Sequence, residues 1–198
     1  MSIEFWFEFG STYSYPAATR VSRLLAAAEI PLVWRPFLLG PIFSEQGWNT
    51  SPFNIYPAKG RYMWRDMERT CAELGVDFRR PSVFPRNGLL AARIACQFSE
   101  SPWIAEFVRG VYVANFARDL EISEPEVLAA VLRSLAQEPA PILERAQRPE
   151  AKAALRAQCD RAAEYGIFGA PMLRVGTELF WGNDRLEAAV RWHQEHPK

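Results

Sequence analysis

The sequence has few of the residues that form disulfides or bind metals. Its 198 residues include only three cysteines and two histidines. Cys71, Cys96 and Cys159 form no Cys-x-x-Cys pair, and each lies in a segment with helical periodicity, which favours a buried apolar role. His193 and His196 lie near the C-terminus, where we expect them to face solvent. We therefore predict no metal site and no catalytic cysteine.

No stretch of the sequence carries a strong excess of one charge or a long apolar run. Lys and Arg together number 23, as do Asp and Glu, so no basic surface for nucleic acid is indicated. No apolar segment reaches the roughly 18 residues that suggest a membrane span. Glu4 and Glu8 interrupt the apolar N-terminus, which argues against a secretory signal. We expect a cytoplasmic protein that binds neither nucleic acid nor membrane.

The apolar content of 49% is enough for a sizeable core, and it is patterned from the start of the chain. Apolar residues alternate from Ile3 to Phe9, the period of a strand. A helix follows the segment Gly10-Ser11-Thr12-Tyr13-Ser14-Tyr15, and Ser11 stands at its expected N-cap. Unpaired amides at a helix start favour an anion. An ordinary capping serine is the alternative interpretation.

The next elements predict a βαβ unit followed by a long loop. Leu32 to Arg35 has the composition of a second strand, which Pro36 ends. From Phe37 to about Tyr56, Gly and Pro recur, which predicts a loop of about 20 residues. Loops of that length are more often functional than not, although a mobile connector is the alternative.

The remainder of the chain predicts a block of helices and then a short hairpin and a last helix. Helical stripes recur from Met63 to Leu135, with prolines between them or at their starts. Strands are predicted at 172–175 and 178–181, joined at Gly176-Thr177. Asn183 or Asp184 is the expected N-cap of the last helix.

This order is that of an α/β protein: a thioredoxin-like domain with a large all-helical insertion. We expect residues 1–40 and 150–198 to form the thioredoxin-like domain, which is discontinuous in sequence, and residues 41–149 to form the insertion. The start of the first helix would then lie at the sheet edge where ligands of α/β proteins bind.

Several motifs together resemble those of the 2-hydroxychromene-2-carboxylate isomerase family. These isomerases are related to kappa-class glutathione transferases and to DsbA-like oxidoreductases. The most specific motifs are the closing Trp181-Gly182-Asn183-Asp184-Arg185 and Ser11-x-x-Ser14, which stands where the oxidoreductases have Cys-x-x-Cys. The resemblance runs nearly end to end, and its other motifs are Pro57-Ala58-Lys59, Phe84-Pro85-Arg86-Asn87 and Phe168-Gly169-Ala170-Pro171.

The resemblance implies a binding site for glutathione. Ser11 would be the catalytic residue that partners the glutathione sulfur, since a hydroxyl donor favours the thiolate. Ala170-Pro171 would be the cis-proline pair whose backbone meets the cysteinyl part. The segment expected to hold the γ-glutamyl end consists of Trp181, Gly182, Asn183 and Asp184. For Asp184, a simple capping role is the alternative.

Further polar residues are implied to contact glutathione or the substrate. Asn49 and Lys59 would meet the glycyl carboxylate or an acidic substrate, although Lys59 is equally well explained as an ordinary solvated lysine. Asn54 and Arg86 are weaker candidates for substrate binding. Gly88 stands where the family pattern has a tyrosine, a departure that bears on the substrate more than on the reaction class.

The implied activity is a glutathione-dependent isomerisation in the breakdown of aromatic compounds. It interconverts 2-hydroxychromene-2-carboxylate and trans-o-hydroxybenzylidenepyruvate, or a related ring-cleavage product, by reversible thiolate addition in an apolar aromatic pocket. The resemblance also implies a homodimer. A kappa-like glutathione transferase or peroxidase is the alternative, and a non-catalytic binder of the same fold stays open. Thiol–disulfide exchange is opposed by Ser11 and Ser14.

Overall fold

A mixed four-stranded sheet lies at the centre of a computed structural model that describes residues 1–196. The last two residues of the predicted segment 150–198, Pro197 and Lys198, lie outside the described residues. The strands are β1 (Ile3–Phe7), β2 (Leu32–Pro36), β3 (Met172–Val175) and β4 (Glu178–Trp181). The helices are α1 (Ser14–Ala27), α2 (Leu39–Glu45), α3 (Pro52–Ile55), α4 (Pro57–Leu74), α5 (Leu89–Gln97), α6 (Ile104–Phe116), α7 (Pro125–Ser134), α8 (Pro139–Gln147), α9 (Pro149–Glu164) and α10 (Leu186–Glu195), with a 3₁₀ turn at Asn183–Arg185.

The sheet order is β2-β1-β3-β4. Strand β1 pairs in parallel with β2, so that Ile3 lies opposite Leu32. It pairs antiparallel with β3, and β3 pairs antiparallel with β4 through the hairpin at Gly176. The helices α2 to α9 lie between β2 and β3 in the chain. This arrangement confirms the predicted α/β class, a thioredoxin-like sheet combined with a large helical region.

The alternation in β1 divides its side chains between two cores. Phe5 and Phe7 pack edge-on against Trp34, with ring centroids 5.4 and 5.6 Å away, on the face that α1 and α6 cover. Trp6 points to the opposite face, where it meets Phe37 and Tyr165. Because both faces are covered, both sets of side chains are buried, and β1 is the central support of the fold.

Glu4 shares the face of Trp6 and is neutralised across the sheet. Its carboxylate lies 2.9 Å from the guanidinium of Arg35 on β2 and 3.2 Å from that of Arg174 on β3. Such cross-strand pairs of opposite charge stabilise a sheet. The charge of Glu4 is therefore balanced from both neighbouring strands.

Proline and glycine mark the ends of several helices. The helices α3, α4, α7, α8 and α9 each begin with proline, where the missing N–H costs nothing. Gly75 ends α4 in the left-handed conformation, with φ of 64°. The prediction that prolines separate the helices of this region is confirmed.

Four boundary predictions are wrong. Strand β1 ends at Phe7 and not Phe9. Helix α1 begins at Ser14 with Tyr13 as its N-cap residue, so Ser11 is not the cap. The predicted loop 37–56 contains the short helices α2 and α3. Asn183 and Asp184 form a 3₁₀ turn, and α10 begins after Arg185 without a side-chain cap. Before α1 and α10, turn hydrogen bonds stand where caps are predicted: the Ser11 amide donates to the Glu8 carbonyl at 3.0 Å, and the Arg185 amide donates to the Gly182 carbonyl at 3.2 Å.

Within residues 1–196, none of the helices is both long enough and apolar enough to cross a membrane.

Candidate functional site

A cavity of about 1150 Å³ opens between the sheet edge and the helical region. Its walls come from the turn between β1 and α1, the segment 38–53, the segment 84–89, the segment 168–170 and Trp181. The position agrees with the predicted pocket at the carboxyl end of the first strand. Its volume is enough for two small organic molecules side by side.

The lining is rich in aromatic side chains and poor in charge. The charged residues of the lining are Glu8, Lys59 and Arg86. The aromatic residues of the lining are Tyr13, Phe43, Trp48, Phe53, Phe84, Phe168 and Trp181. An aromatic ring with one or two anionic groups is the class of ligand that such walls accommodate.

Ser11 lies in the turn before α1 and contacts the loop that precedes β3. Its hydroxyl donates to the carbonyl oxygen of Ala170 at 2.9 Å. The Ala170–Pro171 peptide is cis, as the resemblance implies. Pro171 accepts a hydrogen bond of 3.0 Å from the amide of Gly182. Hydrogen bonds thus join the predicted residues Ser11, Ala170, Pro171 and Gly182 across about 170 residues of sequence.

Trp181 stands at the rim of the cavity. The residue is 55% exposed, and its ring packs edge-on against Phe168, with centroids 5.0 Å apart. A Cβ atom at Gly169 would lie only 2.7 Å from the indole nitrogen, so the glycine makes room for this ring. The exposed aromatic pair is available to contact a ligand that enters beside Ser11.

The residues after Trp181 lie behind the rim. Gly182 has φ of 117°, which favours glycine, and a Cβ atom there would lie 2.5 Å from Oδ1 of Asp184. Asn183 is buried, and its Oδ1 atom has no hydrogen-bond partner within the described residues. Asp184 is exposed and pairs with Arg185 at 3.2 Å. None of these three lines the cavity directly.

The polar residues predicted in the 49–59 region separate into two groups. Asn49 and Lys59 line the cavity, and the ammonium of Lys59 lies 4.7 Å from the ring centre of Tyr56. Asn54 is exposed and lies outside the lining. Its amide donates to the Thr50 hydroxyl and the Phe84 carbonyl, both at 3.1 Å.

The guanidinium of Arg86 is buried and bound by protein groups. It donates to the backbone and side-chain oxygens of Asn115, both at 3.1 Å, and to the Ser82 hydroxyl. It also pairs with Asp119. A hydrogen bond from the Ser82 amide, and a smaller contribution from the Arg86 side chain, lower the pKa of Asp119 to about 2. The geometry therefore favours a structural role for this guanidinium.

Helix α6 holds the backbone that leads to Ser11. The Tyr112 hydroxyl donates to the carbonyl oxygen of Glu8 at 2.9 Å, and the Asn115 amide donates to that of Phe9 at 3.0 Å. The sequence does not point to either residue, because each lies about 100 positions from its partner and belongs to no motif.

Glu8 is a further residue of the site, and none of the sequence motifs includes it. It lines the cavity beside Ser11, and burial raises the pKa of its carboxyl to about 7, against hydrogen bonds from the Gly10 and Ser11 amides. The available signal is an acidic residue in the apolar strand directly before the serine motif. The alternation of the strand places Glu8 on the same face as Glu4, so this pattern alone does not show which of the two lines the cavity.

The glycine at position 88 cannot carry a side chain in this backbone. A Cβ atom there would lie 2.7 Å from that of Phe9. A tyrosine at this position would require the two segments to move apart. The packing of the cavity wall thus requires glycine at position 88, where the family pattern has a tyrosine.

The cysteines are free and none of them lines this cavity. Burial raises the pKa of Cys71 to about 11 and also raises those of Cys96 and Cys159. A raised thiol pKa disfavours the nucleophilic thiolate. Among residues 1–196 no cluster of metal-binding side chains occurs.

The fold and the site define a thioredoxin-fold protein in which Ser11 lies in the turn before α1, beside a cis proline, and Ser14 is the first residue of that helix. The chain matches the family of the DSBA-like thioredoxin domain over residues 2–191 and belongs to that family.

Individual relatives include enzymes of two kinds. The 2-hydroxychromene-2-carboxylate isomerase of Sphingobium xenophagum is 26% identical over 188 residues, covering 94% of each chain. Human glutathione S-transferase kappa 1 is also 26% identical, over 200 residues that cover 94% of this chain and 88% of the transferase. A solved structure of a 2-hydroxychromene-2-carboxylate isomerase superposes with a TM-score of 0.86 at 22% identity, covering 98% and 95%. The chain is thus similar to enzymes of a glutathione-related isomerase and transferase group.

Proposed function

We propose that the protein is a glutathione-dependent isomerase that interconverts 2-hydroxychromene-2-carboxylate and trans-o-hydroxybenzylidenepyruvate or a related aromatic ring-cleavage product. The observation that carries this proposal is the large aromatic cavity with Ser11, and no cysteine, in its wall. A redox-neutral isomerisation needs one thiol supplied by a small molecule and no second sulfur from the protein. The similarity to enzymes named as isomerases supports the same reaction class.

The residues of the cavity fit glutathione. The volume exceeds the few hundred Å³ that a bound small molecule requires. Lys59 lines the cavity and has no ion-pair partner within the described residues, so its ammonium is free to meet a carboxylate. When bound, glutathione supplies a thiol whose ionised form adds reversibly to a conjugated double bond, which can then rotate.

Ser11 and the loop at 170–171 would hold the cysteinyl part. The Ser11 hydroxyl can rotate from the Ala170 carbonyl to donate toward sulfur, which favours the thiolate. The backbone of Ala170 and Pro171 would pair with the cysteinyl backbone, as an added strand does. This placement keeps the thiol at the cavity wall and leaves the aromatic interior for substrate.

The two ends of glutathione would be held by two different segments of the chain. Trp181, Gly182, Asn183 and Asp184 would hold the γ-glutamyl end, where the Asp184 carboxylate suits an ammonium group. The unpartnered Oδ1 atom of Asn183 supports a polar ligand here. Lys59 and Asn49 would hold the glycyl carboxylate or the carboxylate of the substrate.

The aromatic substrate would lie among the rings of the cavity. Asn54 would reach it only by leaving its bonds to Thr50 and Phe84. Arg86 would act through the backbone it supports, since its guanidinium is held by Asn115 and Asp119. We also propose, from the family resemblance, a cytoplasmic homodimer that serves aromatic catabolism, with residues 41–149 as the helical insertion domain.

Calorimetry and a three-substrate assay test the proposal. We expect the purified protein to bind glutathione and, with glutathione present, to convert the benzylidenepyruvate. Ser11→Ala should lower turnover by about 100-fold, the effect of losing one such hydrogen-bond donor. Ser14→Ala is the control, since Ser14 is buried in α1 outside the cavity lining. Absence of glutathione binding would refute the proposal.

A kappa-like glutathione transferase or peroxidase is the second candidate, because the chain is equally similar to human glutathione S-transferase kappa 1. It would use the same cofactor residues on different electrophiles. Turnover of a chlorodinitrobenzene and a hydroperoxide without conversion of the benzylidenepyruvate would favour this candidate over the isomerase.

A further inference from the structure

One carboxyl group in the cavity wall has no cation to balance it. Glu8 lies one residue beyond β1 and lines the cavity together with Ser11. Glu4, on the same side of that strand, contacts both Arg35 and Arg174. Within residues 1–196 no basic side chain forms a salt bridge with Glu8. The fold therefore neutralises one of the two acids and leaves the other facing the cavity.

The carboxylate of Glu8 occupies a space that two glycines leave open. A Cβ atom at Gly10 would lie 3.1 Å from Oε2, and one at Gly88 would lie 3.6 Å from Oε1. Tyr112 holds the Glu8 backbone by donating to its carbonyl oxygen at 2.9 Å. The side chain is thus enclosed on both flanks and open toward the cavity, the setting of a group that contacts a ligand.

The surrounding titratable groups leave this carboxyl as the proton acceptor of the site. Burial and the charge of Glu8 raise the pKa of Tyr112 well above its usual value, so the phenol from α6 stays protonated. Arg86, in the segment before α5, is engaged with Asn115 and Asp119. Lys59, from α4, lines the same cavity. The pKa of Glu8, about 7, allows it both to accept and to release a proton near neutrality.

We propose that Glu8 is the acid–base residue of this site, accepting the thiol proton of the molecule bound beside Ser11 and returning it when that molecule is released. This inference rests on the proposed function. The electron pair of the S–H bond stays on sulfur, one proton moves to a carboxylate oxygen, and the same proton returns, so nothing is consumed. Ser11 cannot take this part, because its hydroxyl already carries a proton and does not hold a second one near neutral pH.

A binding measurement tests the proposal without relying on turnover. Glutathione can donate its S–H to an ionised carboxylate, whereas S-methylglutathione cannot. For the unaltered protein, we expect the affinity ratio of the two ligands to rise about tenfold between about pH 6 and about pH 8. Glu8→Gln should lose most of this rise, because Ser11 alone then favours the thiolate. A constant ratio in the unaltered protein would overturn the proposal.

The second measurement is turnover. Variants of Glu8 distinguish a role in proton transfer from a purely structural role. Glu8→Gln should lose at least about 100-fold in turnover, and Glu8→Asp should recover part of it because it restores a carboxylate. Glu4→Gln, the matched control, should keep the pH-dependent ratio. If the unaltered protein binds no glutathione, the proposed function fails. If the unaltered protein binds glutathione and converts the substrate, and Glu8→Gln has the same turnover and the same pH-dependent affinity ratio, only the inference about Glu8 fails.

Discussion

Replacing Glu8 by glutamine should make the protein more stable at neutral and alkaline pH. In the folded protein, burial raises the pKa of this carboxyl from 4.5 to about 7. The folded state therefore binds more protons than the unfolded state between these two values. The stability that protonated Glu8 contributes is complete below about pH 4.5 and is lost as the pH rises through about 7. Glutamine has the same shape and never ionises.

The size of the effect follows from the shift in pKa. The difference between 4.5 and about 7, at 1.36 kcal/mol per pKa unit, gives at most about 3 kcal/mol above pH 7. Below about pH 4.5 both proteins carry a neutral group and should have similar free energies of unfolding. A gain of this size from a single polar substitution is unusual and is typical of a residue retained for function.

Urea unfolding at about pH 5 and about pH 8 measures the effect, because the free energy of unfolding is obtained at each pH by linear extrapolation. Glu4→Gln is the control, since it removes a carboxylate held by Arg35 and Arg174 and should destabilise the protein at both values. The reasoning is refuted if Glu8→Gln is less stable than the unaltered protein at the higher pH, or differs from it equally at both.

Four further substitutions, one of which is a control, test the packing and the charges around the site. Arg86→Met should lower the free energy of unfolding by about 3–5 kcal/mol, because it leaves buried polar partners unpaired; thermal and urea unfolding would measure it, and a loss under 1 kcal/mol would contradict it. Gly60→Ala should destabilise the protein by about 1–3 kcal/mol, since the new Cβ would overlap the Phe53 carbonyl oxygen. Gly40→Ala is its control, because a Cβ there meets nothing within 4 Å, and this substitution should be neutral or stabilising. Lys59→Met should weaken glutathione binding about tenfold by calorimetry, and unchanged affinity at low salt would remove Lys59 from the site.

Local patterns in the sequence determine much of the scaffold. The alternation from Ile3 to Phe7 defines a central strand because side chains of a strand point to opposite faces. Prolines begin several helices of the middle region because the first helical position needs no N–H. The turn at Gly176 is set by a residue that accepts φ of 62°. These features depend only on near neighbours, and the sequence therefore predicts them.

The family motifs extend the prediction to the site. The resemblance implies that Ser11 and the cis Ala170–Pro171 pair meet, and the structure joins them by a hydrogen bond of 2.9 Å. The same motifs do not show that Ser11 precedes the helix by three residues or that Asn54 lies outside the cavity. Positions in a turn depend on how the following elements pack, which a motif does not encode.

What the sequence by itself determined is the order and type of the main elements and the serine motif beside the first strand. Only the tertiary structure decided which charges are balanced. Arg35 and Arg174, distant in sequence, reach Glu4 and not Glu8, and Arg86 turns to Asn115 and Asp119. The free energy of an ionised group depends on burial and on the cations within a few ångströms, and both are properties of the folded chain.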